Sequence, residues 1–233
     1  MMKPLLAFLF LSLITVANSH AQDCMGMTLK TGMGFEMTSF NPKDKPTGKM
    51  TYQVKQVSKE GASTVVDITV QMQDEKGKQQ PPYSVRYTCN GNELVADLSG
   101  MMQAMQTSLK DMEVRMKSNK LVYPGKLSVG QTLADGELDA DMVSRGNTMM
   151  QMSMKMTNRK VDSKETVTTP AGTFDTYKVS SDMNVENRVM GMPIRSTLRT
   201  VSYRADNQLF DIKSETYNKN GKLMGYSLLS KVN

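Results

Sequence analysis

From Met50 onward, apolar and polar residues alternate with a period of two, the spacing of strands whose faces meet different surroundings. Met50, Tyr52 and Val54 share one face, and Thr51, Gln53 and Lys55 the other. Val66, Ile68, Val70 and Met72 repeat the pattern against Asp67, Thr69 and Gln71. Tyr83, Val85, Tyr87 and Cys89 do so again, with Ser84, Arg86 and Thr88 outside. Turn signals follow at short intervals: Lys76-Gly77, Asn90-Gly91, Pro170-Ala171-Gly172, Gly191, Asp206-Asn207 and Asn220-Gly221. The two Asn-Gly pairs read as two-residue type I′ hairpin turns, because Asn and Gly tolerate positive φ. From Met149 the spacing predicts a meander over 149–161, 164–169, 173–187, 194–205, 208–218 and 222–230. Short links mean antiparallel pairing, and long strands with one apolar face curl. The expected fold is all-β, an antiparallel meander β-barrel or a strongly curved half-barrel.

One segment breaks the rhythm. After Ser99, a helix-capping residue, come the adjacent pair Met101 and Met102 and then Met105, Leu109, Met112 and Met116 at spacings of three and four. A short amphipathic helix near 100–109 is predicted, covering a barrel mouth or a sheet face, with a strand resuming near Met112.

The N-terminus has another character. Lys3, the apolar run Leu5–Val16 and the small-x-small site Ser19-His20-Ala21 read as a signal peptide over 1–21, cleaved on export. The run is shorter than the roughly 20 apolar residues of a membrane span, and no later segment approaches that length. Asp23 stands where a lipid anchor on Cys24 would need a small residue. The expected mature chain is 22–233, one β-barrel-like domain, periplasmic or extracellular. Losing Lys3 takes the formal net charge from +6 to +5, with charges interspersed; no nucleic-acid footprint is indicated.

The only histidine, His20, leaves with that segment, and the chain has no Trp. The mature protein therefore has no imidazole for a Ser-His-Asp or Cys-His centre, nor for zinc. No cofactor is indicated, and the expectation is a protein that is not an enzyme. Cys24 and Cys89, in an oxidising compartment, read as one disulfide closing a loop of about 65 residues, worth about 4 kcal/mol in the chain-entropy view. The first strand, near Met25–Phe35, is expected to pair beside 83–89 and be pinned there.

Two stretches invite a metal. "MMQMSMKM", 149–156, belongs to a chain with 23 methionines and puts Met150, Met152, Met154 and Met156 on one strand face. Thioethers select copper(I), which makes Met150, Met152 and Met154 candidate ligands. The competing reading is a pliable apolar filler for an irregular interior. "ADGELDADM" aligns Asp135, Glu137, Asp139 and Asp141, able to meet a hard cation or simply solvent.

The stretch Val167–Val179, "VTTPAGTFDTYKV", resembles the signature of a TapB-like domain-of-unknown-function family of exported Bacteroidota proteins. "LVYPGKLSVGQTLADG" at 121–136 and "YNKNGKL" at 217–223 agree in order. The resemblance implies an envelope β-barrel or half-barrel, a shape shared with periplasmic lipoprotein carriers, and no catalytic residues. Together these readings predict non-enzymatic binding of an apolar small molecule on a Met-rich concave face formed by Met101, Met102, Met105, Met150, Met152, Met154 and Met156. The alternatives are an envelope protein as partner, in a structural module, and copper(I) binding.

Overall fold

The computed structural model describes residues 22–24, 26–108, 112–206 and 208–233, with backbone alone at 22–23 and 105–108. A short hairpin of β1 (Gln22–Cys24) and β2 (Met27–Leu29) precedes the main sheet. The sheet then runs through β3 (Gly34–Phe40), β4 (Pro46–Glu60), β5 (Ser63–Asp74), β6 (Tyr83–Cys89) and β7 (Glu93–Asp97). Helix α1 (Ser99–Ser108) leads into β8 (Glu113–Pro124), β9 (Gly136–Ser144), β10 (Asn147–Thr169) and β11 (Gly172–Val189). β12 (Met192–Arg204), β13 (Lys213–Asn218) and β14 (Leu223–Val232) complete it. β3 to β14 form a closed antiparallel barrel, not a half-barrel: each strand pairs with its chain neighbours, and β14 returns to β3.

Because the barrel is an unbroken meander, its ends differ. Every odd-to-even connection, α1 included, lies at one end, here the mouth. Every even-to-odd connection lies at the other, the base. The inward face of β3–β6 carries Phe35, Met37, Tyr52, Val54, Ile68, Val70, Val85 and Tyr87.

The base is filled from two segments, the loop between β12 and β13 and the hairpin that precedes the ring. Residues 208–212, expected to open the strand 208–218, are instead part of a loop that sends Leu209, Phe210 and Ile212 into the core. Phe210 lies 5.0 Å from Phe35 and 4.2 Å from Tyr52, ring centre to ring centre. The β1–β2 hairpin adds Cys24, Met27 and Leu29 to the same cluster. Cys24 and Cys89 are joined by a disulfide with Cα atoms 5.6 Å apart.

Other expectations change. No strand near Met25–Phe35 pairs beside 83–89: β6 has β5 and β7 as neighbours, while β3 pairs with β4 and β14. The disulfide therefore tethers a separate hairpin. The two strands expected at 149–161 and 164–169 are one, β10, with register shifts between Thr157 and Lys160 and between Val161 and Ser163. Asn158, at φ 53°, makes the first bend, and a short polar side chain tolerates that backbone. The Asn-Gly turns are not type I′, since only Gly91 and Gly221 have positive φ. Instead Asn90 Oδ1 accepts from the amides of Asn92 and Glu93, and Asn218 Oδ1 from those of Asn220 and Lys222. The Thr169–Gly172 stretch is a tight turn, with the Ala171 amide donating to Thr169 Oγ1 at 3.2 Å.

The helix start is held by Asp97, whose carboxylate accepts the Ser99 amide at 2.8 Å, and by Asn119, which donates to Ser99 Oγ at 3.1 Å. A Cβ on Gly100 would overlap the Ser84 carbonyl oxygen, so only glycine lets α1 approach β6 this closely. Leu109 and the signal segment 1–21 lie outside the described residues.

Replacing both cysteines by serine should lower stability by about 4 kcal/mol, the loop-closure value for this span. Urea unfolding checks it; a loss below about 1 kcal/mol would mean that the β1–β2 hairpin does not depend on its tether.

Candidate ligand-binding site

Above the Phe210 plug the barrel encloses a cavity of about 200 Å³. Its apolar walls are Met37, Met50, Ala96, Leu98 and Leu121; its polar groups come from Tyr52, Tyr87, Tyr123, Arg204, Asp211, Ser214 and Ser227. Local structure explains each placement. Tyr52 and Tyr87 are inward positions of β4 and β6, and Tyr123 is one in β8, opposite Leu94. Arg204 ends β12 on its inward face, opposite Tyr177, where the chain turns into the plug that carries Asp211.

Electrostatics concentrate at this point. Arg204 Nη1 donates to Asp211 Oδ1 at 2.7 Å, and its guanidinium lies 3.9 Å from the centre of the Tyr123 ring. Arg159 also approaches this ring, its guanidinium 4.9 Å from the ring centre. Arg159 is buried and donates to the backbone oxygens of Val122, at 2.9 Å, and Ala134. It has no carboxylate partner among the described residues. Burial disfavours its charge most strongly, and Arg204 nearby adds to that. For Arg204 burial acts the same way, but Asp211 and the phenols beside it more than compensate and strengthen its hold on the proton. Burial raises the phenols of Tyr52, Tyr87 and Tyr123 above their ordinary value, with Arg204 pulling Tyr87 and Tyr123 partly back. Tyr52 donates a long hydrogen bond, 3.5 Å, to Met50 Sδ. The hydroxyls of Tyr87 and Tyr123 have no hydrogen-bond partner among the described residues.

A second wall lies toward the mouth. Met102, Leu138, Ala140 and Met142 are buried there, and Met101, Met112, Val114, Met116, Met150, Met152 and Met154 pack half-buried against them. Pairing explains the gathering: Met150 faces Met142, Met152 faces Ala140 and Met154 faces Leu138 across β10 and β9. Leu98 belongs to both this cluster and the cavity wall, so the two regions adjoin. Met156, half-buried, pairs with Gly136 and Met183 and stands outside the cluster. The Met105 side chain lies outside the described residues. Lys155 is exposed, whereas Gln151 and Ser153 are half-buried in an outer groove with Lys117 and Asp141. On that outer face Asp141 pairs with Lys117 at 2.7 Å, and Glu137 accepts from Ser118. The hydrogen bond from Lys117 outweighs burial and holds the Asp141 carboxyl below its usual range. Among the described residues no three His, Cys, Asp or Glu side chains converge as a metal site.

The sequence reading reached the methionine wall but missed the cavity's polar heart. Tyr87 was legible as an inward position. Nothing in the strand pattern marked Arg204 or Asp211, because an arginine at a strand end reads as solvent-facing.

Fold and site define a class: a closed up-and-down barrel with a plugged base and a cavity of mixed polarity. The chain belongs to the DUF3108-like family, whose profile matches residues 30–229. Among curated proteins none matches it. Two crystal structures are similar. One is of a candidate lipoprotein from Parabacteroides distasonis, 19% identical with a TM-score of 0.67, covering 91% of this chain and 100% of that one. The other is of a candidate exported protein with a YmcC-like fold from Bacteroides fragilis, 22% identical with a TM-score of 0.65, covering 88% and 96%. At these identities the likeness is one of fold. No helix among the described residues is long and apolar enough to cross a membrane.

A phenol raised in the folded state contributes stability that is complete below its unfolded value, about pH 10. That stability is lost as pH rises through the folded value. With Tyr52, Tyr87 and Tyr123 all raised, stability should decline above about pH 10. Tyrosinate absorbance of the native protein should lag behind that of the denatured chain, and Tyr87→Phe with Tyr123→Phe should shrink the lag. Superimposable native and denatured titrations would refute the burial of these phenols.

Proposed function

We propose that this is a non-enzymatic binding protein of the cell envelope, which takes an anionic amphiphile into the barrel. The head, a carboxylate or phosphate, meets Arg204 and the hydroxyls of Tyr87 and Tyr123; the apolar tail runs past Leu98 along the methionine wall. The observation that carries this reading is the surplus of buried cation. Arg204 lines the cavity and Arg159 lies behind it near the same Tyr123 ring, and among the described residues Asp211 is the one carboxylate ion-paired with either. A buried charge is costly unless paired. Two phenol hydroxyls that line the cavity without a partner add donors of the right kind. The cavity is smaller than the roughly 300 Å³ of a drug-sized site. It shares Ser214 and Ser227 with a further cleft of about 320 Å³ between β3, β13 and β14. Export rests on the N-terminal pattern of residues 1–21 and the disulfide, with support from the descriptions of the two similar structures. The finer TapB-like grouping, suggested by Thr169–Phe174, belongs to this same proposal.

The test separates head from tail. Arg204→Met alone strands the Asp211 carboxylate and should cost about 3–5 kcal/mol of stability. Arg204→Met combined with Asp211→Leu should fold near wild-type stability, since neither charge is left alone. Wild type should bind dodecanoate in a fluorescent-probe displacement assay, and dodecanol about tenfold or more weakly. The double variant should lose that preference, as expected for one charge-assisted bond of about 1.5–3 kcal/mol. Equal affinity for acid and alcohol in wild type would sink the anionic-head reading.

A second reading is kept by a different observation: the thioethers of Met101, Met102, Met112, Met116, Met142, Met150, Met152 and Met154 gather in one cluster. Copper(I) titration of wild type and of Met152→Leu with Met154→Leu decides between ligand set and filler. As filler, the pair costs under about 1.5 kcal/mol each and changes no metal affinity. Tight copper(I) binding that vanishes in the variant would reverse the assignment. Met152 is half-buried, so Met152→Lys should be milder than a fully buried ammonium requires, because a long stem lets the charge reach solvent.

A further inference from the structure

The mouth carries two features that belong together. Among the described residues, the large exposed hydrophobic side chains are Met72, Met190, Met192, Ile194, Met224, Val129 and Val232. The first five all lie at the mouth end of their strands; Val129 and Val232 lie singly at the base. Met190, Met192 and Ile194 are 73%, 68% and 62% exposed and form the tip of the β11–β12 hairpin. That tip stands clear because β12 runs from Met192 to Thr197 beyond its last pairing with β13, Leu198 with Asn218. Six residues of strand amount to roughly 20 Å of rise. Met190 has φ 50° and Gly191 φ 82°, a turn in which Asn is favoured at the first position. The side chain presented at the apex is therefore apolar against local preference.

The arc of the rim that follows this tip, over β13–β14, β3–β4 and β5–β6, is basic. The β3–β4, β5–β6 and β13–β14 turns share one design, in which the side-chain oxygen of Asn41, Asp74 or Asn218 accepts the amides two and four residues on. Each turn ends on a lysine. Lys43, Lys45, Lys76, Lys78, Lys219 and Lys222 are all exposed, and none is ion-paired among the described residues. The carboxylates beside them are Asp44, Asp74 and Glu75. Asp44 accepts from the Tyr226 hydroxyl at 2.7 Å, and Asp74 holds its own turn. Arg145 adds a further cation at the β9–β10 tip.

We propose that the protein docks mouth-first on a bilayer containing anionic phospholipid. The β11–β12 tip enters the interfacial layer, and the lysine-bearing turns sit on the headgroups. Apolar side chains ringed by unpaired cations are the chemistry of interfacial binding, in which burial and attraction to anionic lipid act together. The proposal does not depend on what the cavity holds.

The experiment is co-sedimentation of residues 22–233, which hold every described element, with vesicles of phosphatidylcholine and phosphatidylglycerol, and with phosphatidylcholine alone. Wild type should sediment with the anionic vesicles, lose most of that binding in high salt, and sediment little with the neutral ones. Met190→Ser with Ile194→Ser should weaken binding about tenfold or more, as should Lys45→Glu with Lys78→Glu. Lys30→Glu with Lys59→Glu, at the base, should change it by less than about threefold. These positions are exposed, and unchanged thermal melting will verify that each variant folds. No sedimentation with anionic vesicles overturns the proposal, and so does binding that survives the tip substitutions. A dimer in sedimentation velocity that disappears with the same tip substitutions, without vesicle binding, assigns the tip to self-association and also overturns it.

Discussion

The barrel exists because β14 comes back to β3. Leu229 pairs with Met37, Ser227 with Ser39 and Val232 with Phe35, joining the first and last barrel strands across almost the whole chain. The Asn233 amide closes the seam on the Gly34 oxygen at 2.9 Å, and Phe40 stacks on Tyr226 with ring centres 5.0 Å apart. This pairing removes both sheet edges at once. It also sets the width, because eight strands already enclose as much space as inward side chains fill. A ring half as large again needs either additional filling or a guest. Everything inside follows from that surplus of room.

The filling comes from segments without barrel pairing of their own. Phe210 and its neighbours enter from the 205–212 loop, and Met27 and Leu29 enter from the disulfide-tethered hairpin. Across the ring from the seam, the loop between β8 and β9 takes over below the start of β9: the Leu133 amide donates to the Arg159 oxygen at 2.8 Å, and Val161 to that of Gln131 at 2.9 Å. The Asn158 bulge turns Arg159 onto this junction. Filling is therefore concentrated at the base, and the remaining space lies between the plug and the mouth. The helix covers only the methionine corner, where Met102 is buried against β9 and β10.

What the sequence disclosed follows the same division. Strand faces were legible wherever apolar and polar residues alternate, as in Met50–Lys55 or Val66–Met72, because burial of one face imposes the period. The helix was legible from its methionine spacing. The plug was not: "QLFDI", 208–212, reads as the opening of a strand, and only the closed ring makes its inward collapse favourable. The β10 bulges were hidden for a related reason, since a register shift leaves composition unchanged. The partners of β3 were not legible, because the disulfide at Cys24 tethers a separate hairpin and not β3 itself. Pairing between β3 and β14 leaves no local signal at all. The methionine wall came through as a period-two pattern, while the Arg204–Asp211 pair arises from a turn that brings an arginine and an aspartate seven residues apart into contact at 2.7 Å.

The arrangement around Tyr123 then has an energetic logic that the methionine wall lacks. Arg159 spends two donors on backbone oxygens, which carry partial charge only, and Arg204 shares its full charge with Asp211. Tyr123, with the two cations 4.9 and 3.9 Å from its ring centre, spreads some of that charge over the ring, a contribution of about 0.5–2 kcal/mol per contact. The two guanidinium groups near Tyr123 outnumber the one carboxylate ion-paired with them among the described residues, although only Arg204 and Asp211 line the cavity itself. An apolar guest alone would fill space beside Leu98 without relieving that imbalance. An anion would relieve it and, by binding the folded state alone, would add to its stability in proportion to RT ln(1 + [L]/Kd). The same excess of charge disfavours a further buried cation, so the wall of thioethers and the guanidinium pair define one interior with opposite demands at its two ends. A molecule with an acidic head and an apolar tail satisfies both.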